Sequence, residues 1–162
     1  CCQLGSCFKM KTALVVALFA GFAGHANASC ADDRVTVIGD WGRANFAVVV
    51  VDDPAERSQG LMNVPEMATM SGMFFVYPNA QRATFWMRNT LIGLDMIFVG
   101  PDGAILSIHE NAVPLDETVI NGGDGVQYVL EVNAGMVARL GINIGDSLQH
   151  PAFGAGAIVP CN

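Results

Sequence analysis

After Lys11 the sequence contains no lysine, and its fixed cations beyond that point are six arginines scattered singly between Arg34 and Arg139. The missing lysines exclude Schiff-base chemistry in the folded region, because that chemistry begins from a lysine amine. Fifteen Asp and Glu residues stand against those arginines, leaving −9 beyond Ala28. An acidic chain with no basic run speaks against nucleic acid and against an anionic membrane surface as partners. Catalytic motifs are also missing. There is no Walker loop, no dinucleotide fingerprint and no Gly-x-Ser-x-Gly elbow. His109-Glu110 lacks the second histidine of a zinc helix, and His150 stands alone before Pro151. Asn121-Gly122-Gly123-Asp124-Gly125 places too few oxygens for a calcium loop. Nothing in the sequence demands a cofactor.

The start of the chain is distinctive. Lys9 and Lys11 flank Met10, an apolar run extends from Ala13 to Ala23, and Ala26-Asn27-Ala28 follows. A basic start, a short apolar stretch and an Ala-x-Ala end predict a secretory signal peptide over residues 1–28. The run is shorter than the ~20 residues of a membrane span. Met10 reads as the natural start, with residues 1–9 an over-extended gene start. The expected mature chain is one globular domain over residues 29–162, exported to the periplasm or secreted, monomeric and not held in the membrane. Its two cysteines, Cys30 and Cys161, are expected to form a disulfide in an oxidising compartment.

Along the chain, Val35–Ile38 and Phe46–Val51 are β-branched runs about a Gly-Asp-Trp-Gly turn, a hairpin signature. Asp53-Pro54-Ala55-Glu56 starts a helix that Gly60 stops. Gly72–Tyr77 reads as a strand closed by Pro78-Asn79, with Thr84–Arg88 as a second short strand. Leu94–Val99 carries apolar residues on both faces and is expected to be buried. Pro101-Asp102-Gly103 turns it into Ala104–His109. Asn111–Gly125 reads as a long surface loop, Val126–Val132 as a strand, and Asn133 as the cap of a second helix that Gly141 ends. Ser147–His150 is a candidate edge strand. These elements predict a mainly β (α+β) fold, a compact, partly closed antiparallel barrel-like domain with two short helices.

Several of these segments follow one pattern in order. They are Glu56-Arg57-Ser58-Gln59-Gly60-Leu61-Met62, Gly72-Met73-Phe74-Phe75, Phe85-Trp86-Met87-Arg88-Asn89-Thr90, Leu94-Asp95-Met96-Ile97-Phe98, Tyr128 through Gly135, and Gly141 through Asp146. Together, over roughly Phe46 to Leu148, they resemble the family called domain of unknown function 192. The resemblance implies a small single β-rich domain, often exported, with no assigned activity, catalytic residue or cofactor. Gly93 stands where that family commonly has proline, and the Asn121–Gly125 segment is richer in glycine than its pattern.

The densest chemistry lies at Trp86, Met87, Arg88 and Asn89, with Asp95, Arg57 and Glu131. An indole, a thioether, a guanidinium and an amide on one segment suit the floor of a ligand pocket. Asp95, in an otherwise apolar strand, needs a partner, and Arg88 or Arg57 are the expected ones. The same residues also read as a structural arginine–carboxylate network. Asp95 and Glu131 could alternatively serve a hydrolase or lyase as an acid/base pair. Six methionines, Met62, Met67, Met70, Met73, Met87 and Met96, raise Cu(I) handling against ordinary core filling. The leading expectation is a non-catalytic domain that binds a small molecule, a peptide or an envelope protein.

Overall fold

The structure is a computed structural model and describes residues 30–161. The expected signal peptide lies outside the described residues. Seven strands form one sheet in the order β5-β4-β6-β3-β2-β1-β7. They are β1 (Arg34–Gly39), β2 (Gly42–Val51), β3 (Ser71–Phe85), β4 (Leu94–Val99), β5 (Ile105–Ala112), β6 (Ile120–Asn133) and β7 (Ser147–Gln149). Helix α1 (Pro54–Gln59) links β2 to β3, α2 (Met136–Leu140) links β6 to β7, and a 3₁₀ segment covers Pro151–Gly156. The sheet curls into a half-barrel, a mainly β, α+β fold. One Ala104–Ser147 bridge and the Leu148 N–H on Gly103 O (2.8 Å) bring its two outer strands together at one end.

The pairing corrects the all-antiparallel expectation in one place. β2 and β3 run parallel, Val49 opposite Met73, because α1 carries the chain back across before β3 begins. Two strands are also longer than the sequence indicates. β3 runs through Pro78-Asn79 to Phe85, its pairing with β6 interrupted between Val76 and Gln81 rather than ended. β6 begins at Ile120, so residues 120–125 pair as strand and the surface loop shrinks to 113–119. Gly122 makes this possible, since a Cβ there would overlap the Phe98 ring.

Each face of the sheet carries an apolar core, as alternation along central strands requires. Phe46, Phe74, Ile97, Leu130 and Val132 belong to one. Phe75, Met87, Met96, Phe98 and Val129 belong to the other. Every residue of β4 is buried, so its two-sided apolar pattern meets two cores. Cys30 and Cys161 are joined by a disulfide, Cα to Cα 5.6 Å, tying the two ends of the described chain.

Candidate functional site

A cleft of about 410 Å³ opens where α1, β3 and β6 meet. Its shape follows from local sequence. The Asp53 side chain accepts the Ala55 amide at 2.7 Å and fixes the start of α1, with Pro54 in the first turn. Gly60 ends the helix at φ 47°, a left-handed value that spares a Cβ beside the Phe75 ring. This short helix holds Arg57 at the cleft, where Arg57 Nη1 donates to Val76 O (2.9 Å) and to Asp52 O. The guanidinium carbon sits 5.0 Å over the Tyr77 ring, a cation–π distance. Nε and Nη2 of Arg57 have no hydrogen-bond partner among the described residues and remain free donors.

The other wall is aromatic. Phe75 and Phe85, both on β3, meet edge to face at 5.3 Å because the irregular middle of that strand folds its two ends toward one another. Trp86 follows, half exposed at the rim. β6 supplies the remaining group. Glu131 lies opposite Met73 of β3 and Met96 of β4, so its carboxyl emerges on an apolar face. It is 4% exposed, lines the cleft, and makes no hydrogen bond or ion pair among the described residues. Burial pushes its pKa from 4.5 up to about 8, because water is withdrawn and no cation offsets the loss. At neutral pH Glu131 is therefore a neutral acid, able to donate. Burial also raises Tyr77, with nearby Arg57 lowering it and Glu131 raising it, so Tyr77 lies within electrostatic reach of both.

The structure thus brings Arg57, Trp86 and Glu131 to one cleft and leaves the other sequence candidates elsewhere. β3 ends at Phe85, so of the expected Thr84–Arg88 strand only Thr84 and Phe85 are strand, and the chain leaves the sheet at Trp86 and turns at Arg88–Asn89. Met87 is buried in the core, and Arg88 packs over the Trp86 ring at 5.6 Å in solvent. Asn89 sits at φ 54° with its side chain exposed near Met62 Sδ. Phe75, Tyr77 and Phe85 are cleft residues that sequence reasoning did not single out as one set. The Tyr77-Pro78 junction was the available signal, since a proline interrupting β3 marks a bend.

Asp95 requires a correction. It is fully buried, but neither Arg88 nor Arg57 is its partner. Its carboxylate accepts two main-chain amides, Asn111 at 2.8 Å and Val137 at 2.9 Å. The expected arginine–carboxylate network does not form. The ion pairs among the described residues are exposed, Arg82–Asp124 at 3.9 Å and Arg88–Glu117 at 4.0 Å. Such pairs contribute ~0–1 kcal/mol. Nor are Asp95 and Glu131 an acid/base pair. Asp95 is opposite Val132 and Met96 opposite Glu131, so the two carboxyls leave opposite faces of the sheet. The methionines also divide. Met73, Met87 and Met96 are buried in one core, while Met70 is exposed.

The model of the family DUF192, described as Uncharacterized ACR, matches residues 36–150. A protein of unknown function from Novosphingobium aromaticivorans DSM 12444 is similar at 45% identity and TM-score 0.70, over 71% of this chain and 82% of that one. A protein of Sinorhizobium meliloti 1021, named as a candidate transcription regulator, is similar at 45% identity and TM-score 0.70, over 74% and 94%. No curated protein matches the chain.

Proposed function

This chain belongs to the domain of unknown function 192 family, and on that footing we propose that it is an exported, monomeric, non-catalytic domain that binds a small molecule in the Glu131 cleft. One observation carries the reading. A nearly buried carboxyl with no partner faces an open cleft whose other walls include a guanidinium and four aromatic rings. An unpaired buried polar group is costly. No fully buried side-chain polar atom lacks a partner among the described residues, so the Glu131 oxygens reach the cleft, where a ligand would complete their hydrogen bonding. The volume is in the range of small-molecule sites, about 300–1,000 Å³.

The hydrolase or lyase alternative loses support because Asp95 is occupied by two amides on the far face. The copper alternative loses support because three of the six thioethers fill a core. The Sinorhizobium protein is named as a candidate transcription regulator, but for this chain nucleic-acid contact is disfavoured by fifteen acids against six arginines beyond Ala28. Export and the single domain over residues 29–162 are supported by the Ala26-Asn27-Ala28 signature, by one sheet that takes in every strand of the described residues, and by the Cys30–Cys161 disulfide.

The test is a fragment screen followed by nitrogen–proton spectra of the indoles. Trp86 lines the cleft, whereas Trp41 bonds Asp146 at 2.7 Å in a distant turn and serves as control. Saturable shifts at Trp86, with Trp41 unmoved, are the expected result. Fragments that bind yet never move Trp86 would place the site elsewhere and end this reading.

A further inference from the structure

The chemistry of the cleft narrows its occupant. With Glu131 neutral and Tyr77 protonated, the cleft holds one net positive charge, that of Arg57. Two of its lining groups carry donors not engaged among the described residues: Arg57, through Nε and Nη2, and the acid hydrogen of Glu131. A donor pair with one positive charge is complementary to one anion that accepts from both. A planar carboxylate does this, since its two oxygens can take a guanidinium N–H and a carboxylic O–H, both charge-assisted bonds. A phosphate fits less well, because its second charge would meet an acid that has no cation of its own. Among the other lining residues Phe75, Phe85 and Trp86 offer ring faces and edges, with the Trp86 indole N–H and the Thr84 and Thr90 hydroxyls as further polar points, so the rest of the ligand is largely apolar.

We propose that the occupant of this cleft is a small amphipathic monocarboxylate, held head-first by Arg57 and Glu131 with its apolar body against Phe75, Phe85 and Trp86. The inference rests on the small-molecule reading above and names its ligand class. It also makes binding depend on pH. Ionisation of Glu131 replaces a donor with a second negative charge facing the ligand's own. The charged or titratable groups facing Glu131 are Arg57 of α1 and Tyr77 of β3. His109 of β5 lies across β4, opposite Met96, and is exposed. Burial raises Tyr77, so the acid side of the change belongs to Glu131.

The experiment uses three probes of one shape on the disulfide-intact protein: 3-phenylpropionate, 3-phenylpropanamide and 3-phenylpropylamine. Affinities are taken from Trp86 shifts at about pH 6 and about pH 9.5, either side of the acid's titration. The carboxylate should bind at the lower pH, the amide and the amine at least about 10-fold more weakly, a difference of ~1.4 kcal/mol. Carboxylate affinity should fall about 10-fold or more at the higher pH, and in Glu131→Gln the ratio between the two pH values should drop to about one. Amide or amine binding as tight as the carboxylate would overturn the carboxylate assignment and leave the cleft a ligand site. Failure of all three to move Trp86 would overturn both. The wild-type comparison decides by itself, so a variant that folds poorly does not obscure it.

Discussion

The Asp95 carboxylate and the Val137 amide meet at 2.9 Å, although 42 residues separate them in sequence. Val137 lies in the first turn of α2, whose preceding residue, Gly135, sits at φ 81° and offers no side chain to cap it. Asp95 does that work from β4 and places a negative charge at the helix start. Its other oxygen takes the Asn111 amide. There β5 bulges, with Glu110 and Asn111 together facing the single Asp95, and the bulge leaves an amide without a strand partner. One carboxylate therefore satisfies a buried donor at Val137 and a partly buried one at Asn111 that the main chain cannot.

Removing it should leave both donors unpaired. Asp95→Ala is expected to lower stability by about 3–5 kcal/mol, from two hydrogen bonds to a charged group. Asp95→Asn should recover little, because its NH₂ group turns a donor toward a donor. Urea melts give the answer, and a wild-type midpoint in either variant would mean that α2 and the bulge are held by something else.

This relationship also marks the limit of what the sequence could disclose. The need for a partner was legible, because a carboxylate stood in a strand that is apolar on both sides. The partner was not, because main-chain amides carry no residue-type signal and these two are brought in by a bulge and a helix start. The β1–β2 hairpin, the Asp53-Pro54 helix start and the burial of β4 were readable, since each rests on neighbours in sequence. The expected Thr84–Arg88 strand fails beyond Phe85 for a similar reason. Its alternating polarity is real, but Met87 N–H donates to Asp116 O at 2.8 Å, and a segment remote in sequence draws the chain into a turn. Asn133, expected to cap α2, instead ends β6 and donates to Met67 O and Ala68 O. Arg57, Trp86 and Glu131 converge only because the chain crosses from β2 to β3 in parallel.

The disulfide closes a span of 131 residues. In the chain-entropy account, so long a loop restricts the unfolded chain by about 4–5 kcal/mol. Cys30→Ser with Cys161→Ser should therefore melt well below wild type in the absence of reductant. Equal melting temperatures for the two proteins would show that the unfolded ensemble gains nothing from release of the ends.

Neighbouring residues in the turn after β3 should behave oppositely. Met87 is 1% exposed in the core, and Met87→Ala should cost about 2–5 kcal/mol through the cavity it leaves. Trp86 is 47% exposed, and Trp86→Ala should change stability by no more than about 1 kcal/mol while removing a wall of the cleft. Parallel denaturation and probe titration of the two variants separate scaffold from site. Equal destabilisation by both would make Trp86 part of the core.

Glu131 should write its burial into the pH dependence of stability. Its pKa is 4.5 ordinarily and about 8 in the fold, so between these values the folded state holds a proton that the unfolded chain has released. The stabilisation from that proton is complete below the ordinary value and is lost as pH rises through about 8. His150 acts on the other side. Burial depresses its pKa below the usual 6.5, and its neutral ring accepts the Ala152 amide and contacts Asp32 O. Its contribution is present above 6.5 and is lost as pH falls. Asp116 is lowered from 3.8, and Tyr77 and Tyr128 are raised from 10.0, so all three titrate outside the interval between. From about pH 6.5 to 8, Glu131 should dominate, and wild-type stability should fall by about 2 kcal/mol at ~1.4 kcal/mol per unit. Glu131→Gln, neutral at every pH, should show a flat profile there. Urea melts at half-unit steps give both curves. If they run parallel, the carboxyl is already ionised in the fold at neutral pH, and the neutral acid at the floor of the cleft does not exist.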